Sequence, residues 1–457
     1  MKISGTLCAR WVILLALPLH ASVVGMNTPA ESLTVARVMK LPAGERVPWL
    51  EYIRRSQQQM VVDKAALAAE REGLSTIPPL PAQGNSARAI PLHREAAYYA
   101  SGEAKRLGNI IVSFQTPAGG WSKNLRMKEA RQRGQSYAAA NLAPVASPPG
   151  DFDEPLDETW HYVGTLDNDA TNTELHFLVE LSAALPGHDG DAYRASALRG
   201  FEYLLHSQFP NGGWPQVWPL EGGYHDAITF NDDAVTESAE VLQGVAAGKR
   251  QLVSAGDDEA AQTASARPME DYAFVPPALR ERARVAAAKA LDIILKTQIP
   301  VATAAHNSQL TIWAQQFDPL TLKPVSARNF EMPALSSGES ADVMEYLMSL
   351  PGPSPAVVRA VEGAAEWFEA HKILGYVWSG GRGTPGGRRL IAQPGAGPIW
   401  ARYYSLTTGK PIFGDRDKTI HDDVREISLE RRNGYAWFGE GPGQALQQYN
   451  GWKRSSH

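Results

Sequence analysis

A short pattern occurs twice in this chain and leaves few folds open. Residues 109–124 read NIIVSFQTPAGGWSKN, and residues 202–217 read EYLLHSQFPNGGWPQV. In each, an apolar stretch of helical character ends in a glutamine, Gln115 or Gln208, and Gly-Gly-Trp follows. Trp121 and Trp214 stand 93 positions apart. A weaker third copy, DIILKTQIP at 292–300, has Gln298 but no Gly-Gly-Trp, and Trp313 comes after it. Glycines let the chain reverse and bring one helix close to another. Tryptophan supplies apolar area beside the turn. A helix, a turn and an aromatic, repeated, suit helical hairpins packed in a ring. The expectation is an all-α toroid, with a plain bundle or solenoid as alternatives.

The rest of the chain agrees with a helical reading. Helical candidates are Leu198 to Gln208, Ala234 to Ala247, Leu279 to Gln298, Glu339 to Leu350 and Ala356 to His371, while strand-like runs are few and short. The 457 residues are ample for a large core, and 44% apolar with 20% charged content is that of an ordinary globular chain. Net charge is −5 and no Lys/Arg-rich block occurs, which argues against wide nucleic-acid contact. Residues 1–21 have the layout of a secretory signal peptide: Lys2 and Arg10, the apolar run Trp11 to Leu19, then a small residue at Ala21. The run is too short to span a bilayer comfortably. The expected destination is therefore the periplasm or the medium, with no membrane attachment after cleavage. Cys8, the single cysteine, lies in that leader, so the mature chain would lack disulfides, thiol nucleophiles and zinc thiolates. Residues 22–90 read as an N-terminal extension wrapping a main domain at 91–450. Residues 145–155 read as a loop and 254–268 as an insertion.

Two polar knots stand out. TLDNDATNTELHFL (165–178) crowds Asp167, Asn168, Asp169 and Asn172, and TFNDDAVTESAEVL (229–242) crowds Asn231, Asp232 and Asp233. Each precedes a helical pattern. Asp and Asn cap helices through free N–H groups, which explains one residue per knot but not adjacent acids that repel. A hard cation bound by oxygens from both knots would relieve that repulsion. A glycosidase acid/base pair is a third reading.

Basic residues sit among aromatics and glycines rather than on regular helix faces: Lys123, Arg328, Arg402, Arg416, Arg431 and Arg432. Arginine binds carboxylates in bidentate fashion, so the set suggests an anionic ligand, although each arginine taken singly reads as structural. The eleven histidines show no zinc-ligand spacing, and His161, His225 and His421 read as structural or surface groups. No Walker loop, dinucleotide fingerprint or serine elbow is present.

Seven motifs occur in order: GGWSKN, TLDNDATNTELHFL, FPNGGWPQVWP, YHDAITFNDDAV, ARNFEMPALSSGES, IWARYYSLTTGKPIFGDRD and ISLERRNGYAWFG. Together they resemble the family 10 pectate lyases over roughly residues 95 to 450. The resemblance implies an (α/α)₃ toroid with a wide central substrate groove. It implies endo-acting cleavage of polygalacturonate by β-elimination, with calcium as cofactor and a monomer favoured. It further implies Asp167 and Asp232 at the calcium and substrate-carboxylate centre, Arg328 as base, and Lys123, Arg402, Arg416 and Arg431 as substrate-binding residues. Asp169 stands where the family pattern leads one to expect a small residue. A toroidal glycoside hydrolase acting on uronic acid polymers and a non-catalytic polyuronate-binding protein are the competing expectations.

Overall fold

The echo of the sequence is a hydrogen-bonded device that ties successive helices together. In this computed structural model, which describes residues 23–139, 150–157, 159–248, 271–302 and 308–455, Gln115, Gln208 and Gln298 are each the C-cap of an outer helix. Those helices are α2 (Gly102–Phe114), α4 (Asp191–Ser207) and α6 (Pro277–Thr297). Each buried side-chain amide donates to two carbonyls. Gln115 Nε2 reaches Gly119 O at 2.8 Å and Ser196 O at 2.9 Å. Gln208 Nε2 reaches Gly212 O and Ala286 O, both at 2.9 Å. Gln298 Nε2 reaches Thr311 O at 2.9 Å and Ala360 O at 2.8 Å. The second acceptor always belongs to the next outer helix, the last of them being α8 (Pro355–Ala370).

The tryptophans complete the device. Trp121, Trp214 and Trp313 are fully buried, and their indole N–H groups donate to Ile111 O, Leu204 O and Ile294 O of the helix just left, at 2.7 to 2.8 Å. Gly119 (φ +105°) and Gly212 (φ +102°) turn the chain against the neighbouring helix. A Cβ there would meet Arg199 O at 2.4 Å or Lys289 O at 2.3 Å, so only glycine fits. A fourth copy exists that the sequence hides. Trp400 donates to Phe368 O at 2.9 Å, and Ile373 N bonds Ile399 O at 2.9 Å, as Phe209 N bonds Gly213 O at 2.8 Å. That copy has Lys372 in place of the glutamine.

After each of the first three tryptophans the chain enters an inner helix: α3 (Asn172–Ala184), α5 (Ala234–Ala247) and α7 (Ser337–Ser349). Here α3 packs on α4, α5 on α6, and α7 on α8, while α3, α5 and α7 contact one another in turn. Most residues of α3 are buried on every side, which is why its apolar periodicity is weak. This is the expected all-α toroid of paired helices. The C-terminal helix α9 (Gly441–Ser455) covers α7 and α8. Strands are short and serve as clips; for example, Ile228–Thr229 pairs with Gln316–Phe317.

Residues 23–90 wrap the ring. Val23–Met26 adds a strand to Thr419–His421, and Asn27 Nδ2 donates to Arg328 O and Asn329 O. The long helix α1 (Ala43–Arg71) docks through Trp49, Tyr52 and Ile53, with Tyr52 OH donating to Ser207 O at 2.8 Å. The leader at 1–21 and the insertion at 254–268 lie outside the described residues. Among the described residues, no helix is long and apolar enough to cross a membrane.

Gln208→Leu would leave Gly212 O and Ala286 O without their donor inside the ring. The expected cost is about 1–3 kcal/mol, read as a lower denaturant midpoint with unchanged helical circular dichroism. An unchanged midpoint would show that the amide ties nothing together.

Candidate active site

The two knots are not helix caps. Neither α3 nor α5 has a side-chain bond at its N-cap. Each knot instead makes a tight turn just before its inner helix, with residues in the left-handed region. Asn168 (φ 53°), Asp169 (φ 62°) and Thr171 (φ 68°) do so before α3, and Asp232 (φ 48°) and Asp233 (φ 56°) before α5. Asn and Asp tolerate this conformation better than other non-glycine residues, which accounts for their crowding. Thr171 is β-branched and ill-suited to it. Its hydroxyl accepts from Trp121 N at 3.0 Å and donates to Thr165 O at 2.8 Å, which holds it there.

The turns interlock. Asn168 N donates to Asp232 Oδ2 at 2.9 Å. Asn231 Nδ2 donates to Asp232 Oδ2 at 2.7 Å and to Asp167 Oδ1 at 3.3 Å. Gln216 Nε2 donates to Asp167 Oδ1 at 2.7 Å, and Lys123 Nζ to Asp167 Oδ2 at 2.5 Å. The Lys123 ammonium also lies 3.2 Å from the Tyr162 ring centre. Both oxygens of Asp167 are thus engaged; the Asp232 carboxyl lies against that of Asp167, and its Oδ1 stands 3.9 Å from Arg88 Nη2. Burial works against a charged Asp167, but Lys123 outweighs it and holds the carboxyl below its usual range. Burial and the charge of Asp167 push Asp232 up to about 7.

Arg328 occupies the loop from Ala327 to Pro333. Its Nε and Nη2 grip Glu331 at 2.9 and 2.6 Å, and its backbone N–H donates to the same carboxylate at 3.0 Å. Glu331 is 2% exposed and also accepts from Tyr435 OH at 2.6 Å, while the Arg328 side chain is 40% exposed. Burial disfavours the guanidinium, but Glu331 more than compensates and raises its pKa well above the ordinary arginine value. Glu331 falls to about 2, with Arg328 overcoming the effect of burial. Arg328 acts electrostatically on Asp167, so the loop and the turns lie near one another.

The remaining predicted residues fall around this centre. Arg402 pairs with Glu339 of α7, contacts Asn231 Oδ1 at 3.3 Å, and lies 4.8 Å from the Tyr435 ring centre. Arg416 and Arg431 share one carboxylate, Glu430, with Arg416 Nε at 2.9 Å and Arg431 Nε at 2.6 Å. Arg431 is 5% exposed and its guanidinium lies 4.3 Å from the Phe330 ring centre. Phe330 is also the platform for Arg328 and Arg416.

Several partners were not read from the sequence. Arg88, on the Ser86–Ala89 turn of the N-terminal extension, reaches Asp169 Oδ2 at 3.3 Å. Glu331 stands three residues after Arg328, a spacing that signals pairing only once the loop is known to fold back. Gln216 follows the second Gly-Gly-Trp closely, and nothing in that position marks it as polar contact for a distant aspartate.

Asp167 and Asp232 make a close acidic pair with Asp169 on the same turn as Asp167, and Asn231 faces the pair with its N–H groups while its Oδ1 accepts from Gln315 and Arg402. Paired carboxylates are the kind of ligand a hard cation takes, and the raised Asp232 is the member of the pair whose charge such a cation would relieve. The inner helices add Glu174 and Glu237, each pushed up to about 8 by burial. Asp232, Glu174 and Glu237 bind protons more tightly folded than unfolded. Metal-free stability therefore falls as pH rises from the usual carboxylate range to about 8. Asp167 and Glu331, held low, are ionised in both states across that window and add no slope. Denaturant midpoints in chelator at about pH 5 and about pH 8 should show the fall, and Glu174→Gln with Glu237→Gln should lessen it, the raised aspartates keeping the rest. A flat wild-type profile would contradict the burial of these charges.

The chain matches the family model described as pectic acid lyase over residues 115–446. It is similar to a family 10 polysaccharide lyase from Cellvibrio cellulosa, at 27% identity and TM-score 0.59, over 80% of this chain and 100% of that one. It is also similar to an aspartate-to-alanine mutant of the Cellvibrio cellulosa lyase in complex with trigalacturonic acid, at 26% identity and TM-score 0.60, over 80% of this chain and 97% of that one. Comparison with curated proteins gives no match. With the paired helices, the interlocked turns and a family match over most of its length, this chain belongs to the pectic acid lyase family.

Proposed function

We propose that the protein is a calcium-dependent, endo-acting pectate lyase that cleaves polygalacturonate by β-elimination. The observation that carries this reading is the meeting of a partly exposed arginine side chain, Arg328, with the interlocked acidic pair Asp167 and Asp232. The neighbour bound to trigalacturonic acid supports a galacturonate substrate.

The substrate's C5 proton lies beside its C6 carboxylate. Arg328, as the neutral guanidine, takes that proton. The C5–H electrons form the C4–C5 double bond, the C4–O bond breaks, and the departing oxygen takes a proton from solvent. When bound at Asp232, with Asp167 beside it, calcium supplies positive charge to substrate carboxylates. Lys123 holds Asp167 ionised. Arg402 and Arg416 bind uronate carboxylates along the groove, with Glu430 as the carboxylate that a substrate exchanges for at Arg416, while the buried Arg431 serves binding by holding Glu430 in place. Glu331 favours the protonated Arg328, so the base form is scarce and the rate rises with pH. The leader at 1–21 directs export to the periplasm or medium, and the enzyme acts as a monomer.

A hydrolytic reading draws on one observation: Asp167 is held ionised while Asp232 is pushed up to about 7, as in an acid/base pair. The ultraviolet absorbance of unsaturated uronate separates the two. With polygalacturonate, absorbance should climb with calcium, stop with excess chelator, and grow faster at alkaline pH. Shortened chains without that absorbance would mean hydrolysis. Arg328→Ala should lower kcat by about 100- to 10,000-fold while most of the trigalacturonate affinity is kept. Normal turnover in Arg328→Ala would remove Arg328 as the base.

A further inference from the structure

Asp153, His161 and His225 bring three ligand atoms within 4.8 Å of one another, and no other group of His, Cys, Asp or Glu does so among the described residues. We infer that this cluster is a transition-metal site, distinct from the oxygen-rich centre of the cleft, suited to an ion of the zinc class. Asp153 Oδ1 stands 3.7 Å from His161 Nε2 and 3.4 Å from His225 Nε2. Ligands at about 2.0–2.1 Å from a tetrahedral ion stand about 3.3 Å from each other, close to the two Asp153 distances, and binding would take one of the two tyrosine hydrogen bonds from Asp153 Oδ1.

Three further observations point to a ligand rather than to a chance cluster. His225 is 5% exposed, and its Nε2 faces Asp153 Oδ1 at 3.4 Å, an ion-pair distance without regular hydrogen-bond geometry. His161 turns its other nitrogen, Nδ1, to Glu221 Oε2 at 3.1 Å. A carboxylate behind a histidine fixes its tautomer and presents Nε2 as a lone pair, the arrangement that supports metal-bound histidines. Finally, His161, Glu221 and His225 line a cavity of about 320 Å³, which leaves space for a fourth ligand.

The donor set chooses the ion. Two imidazole nitrogens and one carboxylate suit zinc or its first-row neighbours, whereas calcium takes oxygen ligands. The site is tied to the cleft. Asp153 Oδ1 accepts from Tyr162 OH at 2.9 Å and Tyr224 OH at 2.7 Å, and the Tyr162 ring lies against Lys123. A bound ion would fasten the loop bearing Asp153 to the one bearing His225, behind the lysine that holds Asp167. The histidines, 64 positions apart, show no zinc spacing in the chain because the ring, not a local motif, brings them together.

Cobalt(II) is the probe, added to the full chain after chelator treatment and with calcium in excess. One equivalent should bind with the visible absorption of a low-coordinate nitrogen and oxygen site, and zinc should displace it. His161→Gln with His225→Gln should abolish the signal. Glu221→Gln, a milder change, should weaken binding about 10- to 100-fold. Asp167→Asn, in the cleft, should leave it intact. Absence of the absorption, its persistence in the double histidine variant, or its loss in Asp167→Asn would each overturn the assignment. None of these readouts depends on lyase activity.

Discussion

The backbone N–H of Asn168 reaches the carboxylate of Asp232, and the amide of Asn231 reaches back to Asp167. This exchange between two left-handed turns holds two carboxylates together that would otherwise repel. Its members sit at the starts of α3 and α5, so whatever fixes those helices fixes the acids. Lys123, two residues after the first Gly-Gly-Trp, neutralises one of the pair. The other is left in an unfavourable electrostatic position, which a cation would relieve on the reading proposed above.

The rigidity behind this comes from uncharged groups. Each buried glutamine spends its amide N–H groups on two carbonyls, one local and one on the next helix, and each tryptophan closes back on the helix it follows. Unpaired buried carbonyls are costly, so a slip of one hairpin disturbs its neighbour as well. The ring thereby carries a run of raised acids on its inner helices that no loosely packed bundle would tolerate. Arg328 is held in a different way, by Glu331, which Tyr435 OH also holds, with Asn27, just after the N-terminal strand, bracing the loop.

Much of the ring was legible in the sequence because its ties are local patterns: a glutamine at a helix end, two glycines, a tryptophan. Trp400 escaped notice because 32 positions separate it from its acceptor Phe368, against 10 for Trp121 and Ile111. The knots were legible as polar and functional, but capping explained them wrongly; left-handed backbone does. The arginines were legible as a set. That Arg416 and Arg431 divide a single Glu430, and that Arg88 comes from the N-terminal extension to meet Asp169, are products of tertiary folding. His161 and His225 read as structural for the same reason: nothing in linear spacing brings them to Asp153.

The most direct test of the central claim is a crystal structure of Arg328→Ala soaked with trigalacturonate and calcium. The account predicts a saccharide lying across the two interlocked turns, with a uronate carboxylate facing Asp232 and the C5 of that sugar facing the space left by the missing guanidinium. A saccharide bound in well-defined density away from the turns, or with C5 turned from position 328, would contradict it.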